Sequence, residues 1–281
     1  HLVGWFDREW PSPRFVGIVF AAVAPVSYGA LGAISVEIAL QRSPVAGIVI
    51  AGALLWTTIS LGTLIGSAEA VIDVVETDPV IARERLPALV GRDPTALSVP
   101  HIRSAVVESL AENLSDGFVA PLLAFGFAVH ISVPVGVAVA MWVKAVNTLD
   151  SMLGYHAKPH GWASARLDDV VMWIPARVTA MLLAVTARDP GALGRARPFY
   201  QAPPSPNAGW PMATIGAILG VRLEKPGTYT LVPTARLPDT ATAIRATSVV
   251  RSAGVLAAVL TIAVALVSGF VESIIFWAGG V

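Results

Sequence analysis

Four long stretches of the chain carry almost no charge, and they limit the folds that this sequence can adopt. Residues 15–36, 43–67 and 252–271 contain no Asp, Glu, Lys or Arg, and residues 117–143 contain only His130 as an ionisable group. A helix needs about 20 apolar residues to cross the hydrocarbon core of a bilayer. Each stretch is therefore long enough to span a membrane. Only 14% of the 281 residues are charged, against about 25% in soluble domains.

These blocks predict an all-α integral membrane protein, formed as one domain over residues 1–281, with about four to six membrane segments. Some segments are expected to be broken or re-entrant. Pro121 and Pro134 interrupt residues 117–143, and a proline inside a helix removes a backbone hydrogen bond. We therefore expect a turn in the Val129–Pro134 region.

Two further local patterns depart from straight membrane helices. Residues 170–187 form a weaker apolar run with Pro175 and Arg177 near its centre, which predicts a second broken segment. Residues 223–232 surround a Lys225-Pro226-Gly227 turn, and this pattern predicts a small β-hairpin.

Three polar segments lie between the apolar blocks: residues 67–116, 144–169 and 188–251. They carry the polar motifs of the chain, so a single active site requires them to meet on one side of the membrane. The last of them holds eight Lys and Arg residues and three acidic ones. Loops rich in Lys and Arg face the cytoplasm. We therefore expect a multi-pass protein of the cell membrane, with its polar region and active site on the cytoplasmic side.

Composition excludes several classes of site. The chain contains no cysteine, so it forms no disulfide, zinc-thiolate site or iron–sulfur cluster. Its net charge is zero, which gives no reason to expect nucleic acid as a partner. The sequence also lacks a G-x-x-x-x-G-K-[ST] loop, a G-x-S-x-G elbow and an H-E-x-x-H motif.

The first candidate site consists of Glu108, Glu112 and Asp116, which follow one another at helical spacing. Side chains at i, i+4 and i+8 share a helical face, and like charges there repel each other unless something neutralises them. Mg²⁺ binds carboxylates together with substrate phosphates, so we predict a metal site that adjoins Asn113. The alternative interpretation is a solvated acidic face.

The second candidate site consists of Asn147 and Asp150, one helical turn apart and directly after an apolar block. A carboxamide and a carboxylate at this spacing suit a polar or metal–phosphate ligand. The alternative interpretation is a helix cap, for which Asn and Asp are both favoured.

The third candidate site includes Arg166, Asp168, Asp169 and Arg177. Ionisable groups within an apolar run are energetically costly and usually functional, which singles out Arg177. The alternatives are an internal ion pair between Asp169 and Arg177, or an arginine that extends to the membrane interface.

The fourth candidate site is the proline-rich stretch 204–211, which contains Ser205 and Asn207 and runs into a short apolar helix. A rigid turn that leads into a helix N-terminus can bind an anion. Arg92 in the first polar segment is a further candidate, because arginine binds phosphate in a bidentate manner. The alternative interpretation of the stretch is an ordinary loop.

Taken together, these motifs resemble one family, the adenosylcobinamide-phosphate synthases of cobalamin biosynthesis (the CobD/CbiB family). Six of them occur in family order: Val90-Gly91-Arg92-Asp93, Glu108-Ser109-Leu110-Ala111-Glu112-Asn113, Asn147-Thr148-Leu149-Asp150, Ala165-Arg166-Leu167-Asp168-Asp169, Ile174-Pro175-Ala176-Arg177 and Ser205-Pro206-Asn207-Ala208-Gly209-Trp210-Pro211. The chain departs from the family pattern at His160 and Trp173, where the family commonly has Phe and Asn.

The resemblance implies an ATP-dependent ligase that forms an amide between adenosylcobyric acid and aminopropanol phosphate, with Mg²⁺ as cofactor. Membrane lipid is an expected partner, as are other membrane enzymes of the pathway or a second copy of the chain. The implied catalytic residues are Asp150, Asp168, Asp169 and Arg177. The implied substrate-binding residues are Arg92, Asn113, Asn147, Tyr155, Arg166, Ser205 and Asn207. The implied metal ligands are Glu108, Glu112 and Asp116.

Two other functions remain open at this point. A membrane phosphoryl or prenyl transferase would bind diphosphate through Asp and Mg²⁺, and Asn147-x-x-Asp150 resembles half of such a motif. The expected downstream D-x-x-x-D is missing, because Asp168 and Asp169 are adjacent. A transporter would place Arg177 and Glu272 in its pathway, and broken helices are typical of transporters. No internal repeat supports it.

Overall fold

A computed structural model describes residues 12–91, 93–153 and 159–278, with side chains described up to residue 266. Helices dominate the described chain. The α-helices are α1 Pro13–Arg42, α2 Pro44–Thr58, α3 Leu61–Ile72, α4 Pro79–Arg85, α5 Val99–Leu114, α6 Ala120–Ala128, α7 Val133–Leu153, α8 Trp162–Val171, α9 Trp173–Thr186, α10 Gly191–Ala196, α11 Gly209–Leu219 and α12 Thr240–Ala278. The other elements are the 3-10 helices Leu86–Ala88 and Arg197–Phe199, the π-helix Ser115–Val119, and the strands β1 Leu223–Lys225 and β2 Tyr229–Leu231.

Four helical segments in the described ranges are long and apolar enough to cross a membrane. They are α1, the segment Pro44–Ile72 that contains α2 and α3, α7, and α12 as far as Leu266. The pair α8 and α9, bent by 47°, makes a fifth segment if the two helices are taken as one broken span. The prediction of an all-α, multi-pass membrane protein is confirmed.

The first two membrane segments pack against each other, and the break between them lies at Ser43. Helix α1 continues through Glu37 and ends at Arg42. Ser43 then begins α2, because its hydroxyl accepts hydrogen bonds from the backbone N–H groups of Val45 and Ala46. Helix α1 also exposes large apolar side chains, among them Phe15, which is 65% exposed. Such a surface suits contact with lipid.

The predicted turn in the block 117–143 is confirmed. Helix α6 ends at Ala128, a turn follows, and α7 begins at Val133 and packs against α6. Hydrogen bonds from Val129 N to Phe125 O and from Ile131 N to Ala128 O close the turn. Pro134 therefore lies in the first turn of α7, where a proline costs no intrahelical hydrogen bond.

The block 170–187 is also broken, as predicted, but the break precedes the proline. Met172 separates α8 from α9. Pro175 lies in the first turn of α9, a position that proline tolerates. Arg177 therefore sits inside a regular helix, one turn after Trp173.

The acidic motif ends in a π-helix. Helix α5 stops at Leu114, and the next five residues, Ser115–Val119, adopt the wider turn. The carbonyl of Gly117 accepts hydrogen bonds from both the backbone N–H and the hydroxyl of Ser60. Asp116 therefore lies in a π-helix rather than in the regular α-helix that the i+8 spacing assumes. Single π-turns occur frequently at functional sites.

The predicted β-hairpin is present. Strands β1 and β2 pair in antiparallel register, with Leu223 opposite Leu231 and Lys225 opposite Tyr229. Gly227 has a positive φ of 74°, which glycine adopts without a steric penalty. Leu223 and Leu231 are fully buried, so one face of the hairpin packs into the protein.

The helices gather into two compact units. The first contains residues 1–59, 120–171 and 257–281, and the second contains residues 60–119 and 172–256. The polar segment 144–169 belongs to the first unit, and the other two polar segments, 67–116 and 188–251, belong to the second. The expectation of one membrane domain stays a prediction, as does the cytoplasmic orientation.

Candidate active site

The most specific polar contact in the second unit joins two sequence motifs at Arg177. Its Nη1 donates to the backbone oxygen of Trp173 at 2.8 Å and to Oδ1 of Asn207 at 2.7 Å. The guanidinium carbon lies 4.4 Å from the ring centre of Trp173 and 4.5 Å from that of Trp210. The guanidinium therefore lies against two indole rings, a favourable arrangement for a cation.

The loop before α11 positions Asn207 for this contact. The hydroxyl of Ser205 accepts hydrogen bonds from the backbone N–H groups of Asn207 and Ala208, and Asn207 is only 3% exposed. Gly209 permits the loop to pack closely, because a Cβ there would lie 2.0 Å from the backbone oxygen of Tyr200. Ser205 and Asn207, both predicted site residues, therefore build one rigid turn.

A cleft of about 710 Å³ opens beside Arg177. Its polar lining comes from Arg177, Arg197, Tyr200, Gln201 and Trp210, and prolines complete the wall: Pro198, Pro203, Pro204 and Pro206. The rings of Tyr200 and Trp210 stack 4.1 Å apart. Burial raises the pKa of the Tyr200 phenol, and its hydroxyl donates to the backbone oxygen of Leu193.

The structure places Glu108 in a buried network of hydrogen bonds. The side chain is 2% exposed. Its Oε1 accepts from the hydroxyl of Ser104 at 2.8 Å, and its Oε2 accepts from the hydroxyl of Tyr229 at 2.6 Å. The Ser104 hydroxyl in turn accepts from the backbone N–H of Glu224. Glu108 therefore joins α5 to both strands of the hairpin.

The predicted metal site is only partly compatible with this arrangement. Glu112, Asn113 and Asp116 are half-buried, and the Asn113 amide donates to Ser109 O. Within the described ranges, no three His, Asp or Glu side chains form a group that could hold a metal ion. Mg²⁺ in phosphate sites takes one or two carboxylates and completes its shell with phosphate oxygens and water. Glu112 and Asp116 suit that mode better than Glu108, and the metal role of all three stays a prediction.

Five further predicted residues lie in the first unit, on the packed helices α7 and α8. Asn147 and Asp150 are half-buried in the last two turns of α7. Helix N-caps lie at the opposite end, so the cap interpretation is wrong. On α8, Arg166 is exposed and forms a 3.5 Å ion pair with Asp169, whereas Asp168 is buried.

Two predicted site residues, Arg92 and Tyr155, fall outside the described residues. Arg197, Gln201 and Trp210 line the cleft without having been singled out from the sequence. Trp210 belongs to one of the sequence motifs. Its role as a ring that packs on the Arg177 guanidinium, 33 residues earlier in the chain, is visible only in the structure.

Comparison with known proteins identifies relatives along most of the chain. The family model described as CobD/Cbib protein matches residues 1–257. The chain is 34% identical over 268 residues to the probable cobalamin biosynthesis protein CobD of Methanothrix thermoacetophila, covering 90% of this chain and 84% of that protein. It is 40% identical over 202 residues to the cobalamin biosynthesis protein CobD of Geobacter metallireducens, covering 69% of this chain and 61% of that protein.

A third relative extends the comparison. The cobalamin biosynthesis protein CobD of Halalkalibacterium halodurans is 33% identical over 241 residues, covering 81% of this chain and 73% of that protein. No solved structure matches the chain. The match to the Geobacter protein spans less than two thirds of that relative's length.

Proposed function

The chain belongs to the CobD/CbiB family, enzymes of cobalamin biosynthesis, and we propose that it is the ligase that joins aminopropanol phosphate to adenosylcobyric acid at the expense of ATP. One observation carries the proposal. Two family motifs meet through the hydrogen bond from Arg177 to Asn207, two residues that lie thirty positions apart in the chain. Their meeting point borders a cleft with two arginines, which suits phosphate-bearing substrates.

The chemistry requires activation of the corrinoid carboxylate, because a carboxylate does not react with an amine in water. Attack of the carboxylate oxygen on a phosphorus of ATP forms a mixed anhydride and releases ADP if the γ-phosphorus is attacked or pyrophosphate if the α-phosphorus is attacked. The amine nitrogen then attacks the carbonyl carbon, and the phosphate-bearing oxygen leaves as an anion. Positioning and charge stabilisation supply the rate of such steps.

The proposal assigns these tasks to named residues. Asp168 or Asp169 takes a proton from the ammonium group of the substrate and so frees the amine to attack, and Arg177 stabilises charge on a phosphate. Mg²⁺, held by Glu112 and Asp116, would neutralise the phosphates of ATP. Asp150 serves as a further catalytic carboxylate. The other predicted residues bind or orient the substrates: Arg92, Asn113, Asn147, Tyr155, Arg166, Ser205 and Asn207. The proposal also places the site on the cytoplasmic side, where ATP is found.

Family membership supports this function over the two alternatives. A membrane phosphoryl or prenyl transferase would form no amide, and a transporter would consume no aminopropanol phosphate. The transporter hypothesis also relied on Glu272, whose side chain lies outside the described part of the structure.

The proposal is tested with purified protein in lipid nanodiscs, adenosylcobyric acid and isotopically labelled aminopropanol phosphate. We expect the label to enter the corrinoid only when ATP and Mg²⁺ are both present. Each omission serves as a control. Incorporation without ATP, or none with the complete mixture in protein that remains folded, would contradict the proposed function.

A further inference from the structure

The cleft beside Arg177 has an excess of positive charge. Arg177 and Arg197 both line it, and none of the described residues in its wall is acidic. The side chain of Arg177 donates hydrogen bonds to described residues only from Nη1, and both acceptors are uncharged oxygen atoms. Its Nε is buried and has no hydrogen-bond partner among the described residues. The charge of this guanidinium is therefore not balanced by a carboxylate in the cleft.

Arg197 adds a second cation of a different kind. Its side chain is exposed, and this side chain forms no ion pair or hydrogen bond with a described residue. It lies in the 3-10 helix Arg197–Phe199, directly before Tyr200. The cleft thus combines one guanidinium that is fixed by its surroundings with one that can adjust to a ligand.

We propose that this cleft is a binding site for the phosphate group of a substrate, with Arg177 and Arg197 as its two cations. Guanidinium groups match phosphate oxygens in a bidentate geometry. Prolines stiffen the wall, since each fixes its own φ, and a preformed site loses little entropy on binding. A volume of about 710 Å³ lies within the range of small-molecule sites and accommodates more than a free phosphate ion.

Two substrates of the proposed reaction carry this chemistry, and the assignment rests on the proposed function for their identity. Aminopropanol phosphate carries a single phosphate ester, and ATP carries a triphosphate. The stacked rings of Tyr200 and Trp210 border the same cleft and offer an apolar surface to the rest of either ligand. The shared feature is the phosphate, and binding measurements separate the two sources.

The experiment measures binding rather than turnover, by calorimetry of the full chain in nanodiscs. The probes are aminopropanol phosphate and, separately, a non-hydrolysable ATP analogue with Mg²⁺. The variants are Arg197→Gln, which removes the exposed cation, and Arg177→Lys, which retains the charge but loses the planar guanidinium that can bind phosphate in a bidentate manner. Arg245→Gln is the control, because Arg245 is an exposed arginine of α12 outside the cleft.

We expect Arg197→Gln to weaken the binding of one probe by about tenfold or more, the effect of losing one charge-assisted contact. Arg177→Lys should weaken the same probe, and Arg245→Gln should change neither. The probe that is affected identifies the source of the phosphate. Unchanged affinity of both cleft variants for both probes overturns the assignment.

The outcome is independent of the proposed ligase activity. If the wild-type protein forms the amide while the cleft variants bind both probes normally, the cleft assignment fails and the proposed function stands. If the cleft variants lose phosphate binding while no amide forms, the cleft assignment stands and the proposed function fails.

Discussion

Replacing Tyr229 by phenylalanine removes one hydroxyl and leaves the ring in place. In the structure this hydroxyl donates to Glu108 Oε2 at 2.6 Å, and Glu108 is 2% exposed. Removing one donor from a buried acceptor costs about 1–3 kcal/mol. We therefore expect Tyr229→Phe to lower the free energy of unfolding by about that amount, because the hairpin is less firmly held to α5.

Denaturant-induced unfolding in detergent micelles, followed by circular dichroism, measures this loss. Tyr28→Phe is the matched control, since Tyr28 is 40% exposed and its hydroxyl bonds to no described residue. The control should unfold like the wild type. If Tyr229→Phe is as stable as the wild type, or if both variants lose stability equally, the buried network does not hold the hairpin.

Two further predictions concern the metal and the membrane topology. Glu112→Gln should raise the Mg²⁺ concentration needed for half-maximal amide formation, and an unchanged midpoint at wild-type activity would remove Glu112 from the metal site. Single cysteines in this cysteine-free chain should all resist an impermeant thiol reagent in right-side-out vesicles until the membrane is opened; the positions are Ser98, His160 and Ala202. Labelling of the His160 position alone from outside would contradict a common cytoplasmic side for the three polar segments.

Local features of the fold could be predicted because their signals are local. The turn between α6 and α7 comes directly before the helix turn that contains Pro134. The hairpin is indicated by Gly227 and its neighbours. The break between α8 and α9 was expected for a related reason, but it lies at Met172, three residues before the proline. A proline marks the first turn of a helix as readily as a break, so sequence alone places such a boundary within a few residues.

The candidate site could be predicted only in part, because its contacts join distant residues. Glu108 was assigned to a metal from its spacing, but its partner Tyr229 lies 121 residues later and has no motif of its own. A helical-wheel argument also assumes a regular helix, and the π-turn at Asp116 breaks that assumption. Arg177 was recognised from its apolar surroundings, whereas its contact with Asn207 depends on how α9 packs against α11.

Activation of the corrinoid carboxylate by ATP, the step on which the proposed function depends, can be followed with an oxygen isotope. Adenosylcobyric acid labelled with ¹⁸O in its reacting carboxylate is incubated with ATP, Mg²⁺, aminopropanol phosphate and the protein in nanodiscs. We expect one labelled oxygen to pass to a phosphate product, either inorganic phosphate or AMP, for each amide formed. Amide formation with no ¹⁸O in either product would contradict activation of the carboxylate by ATP.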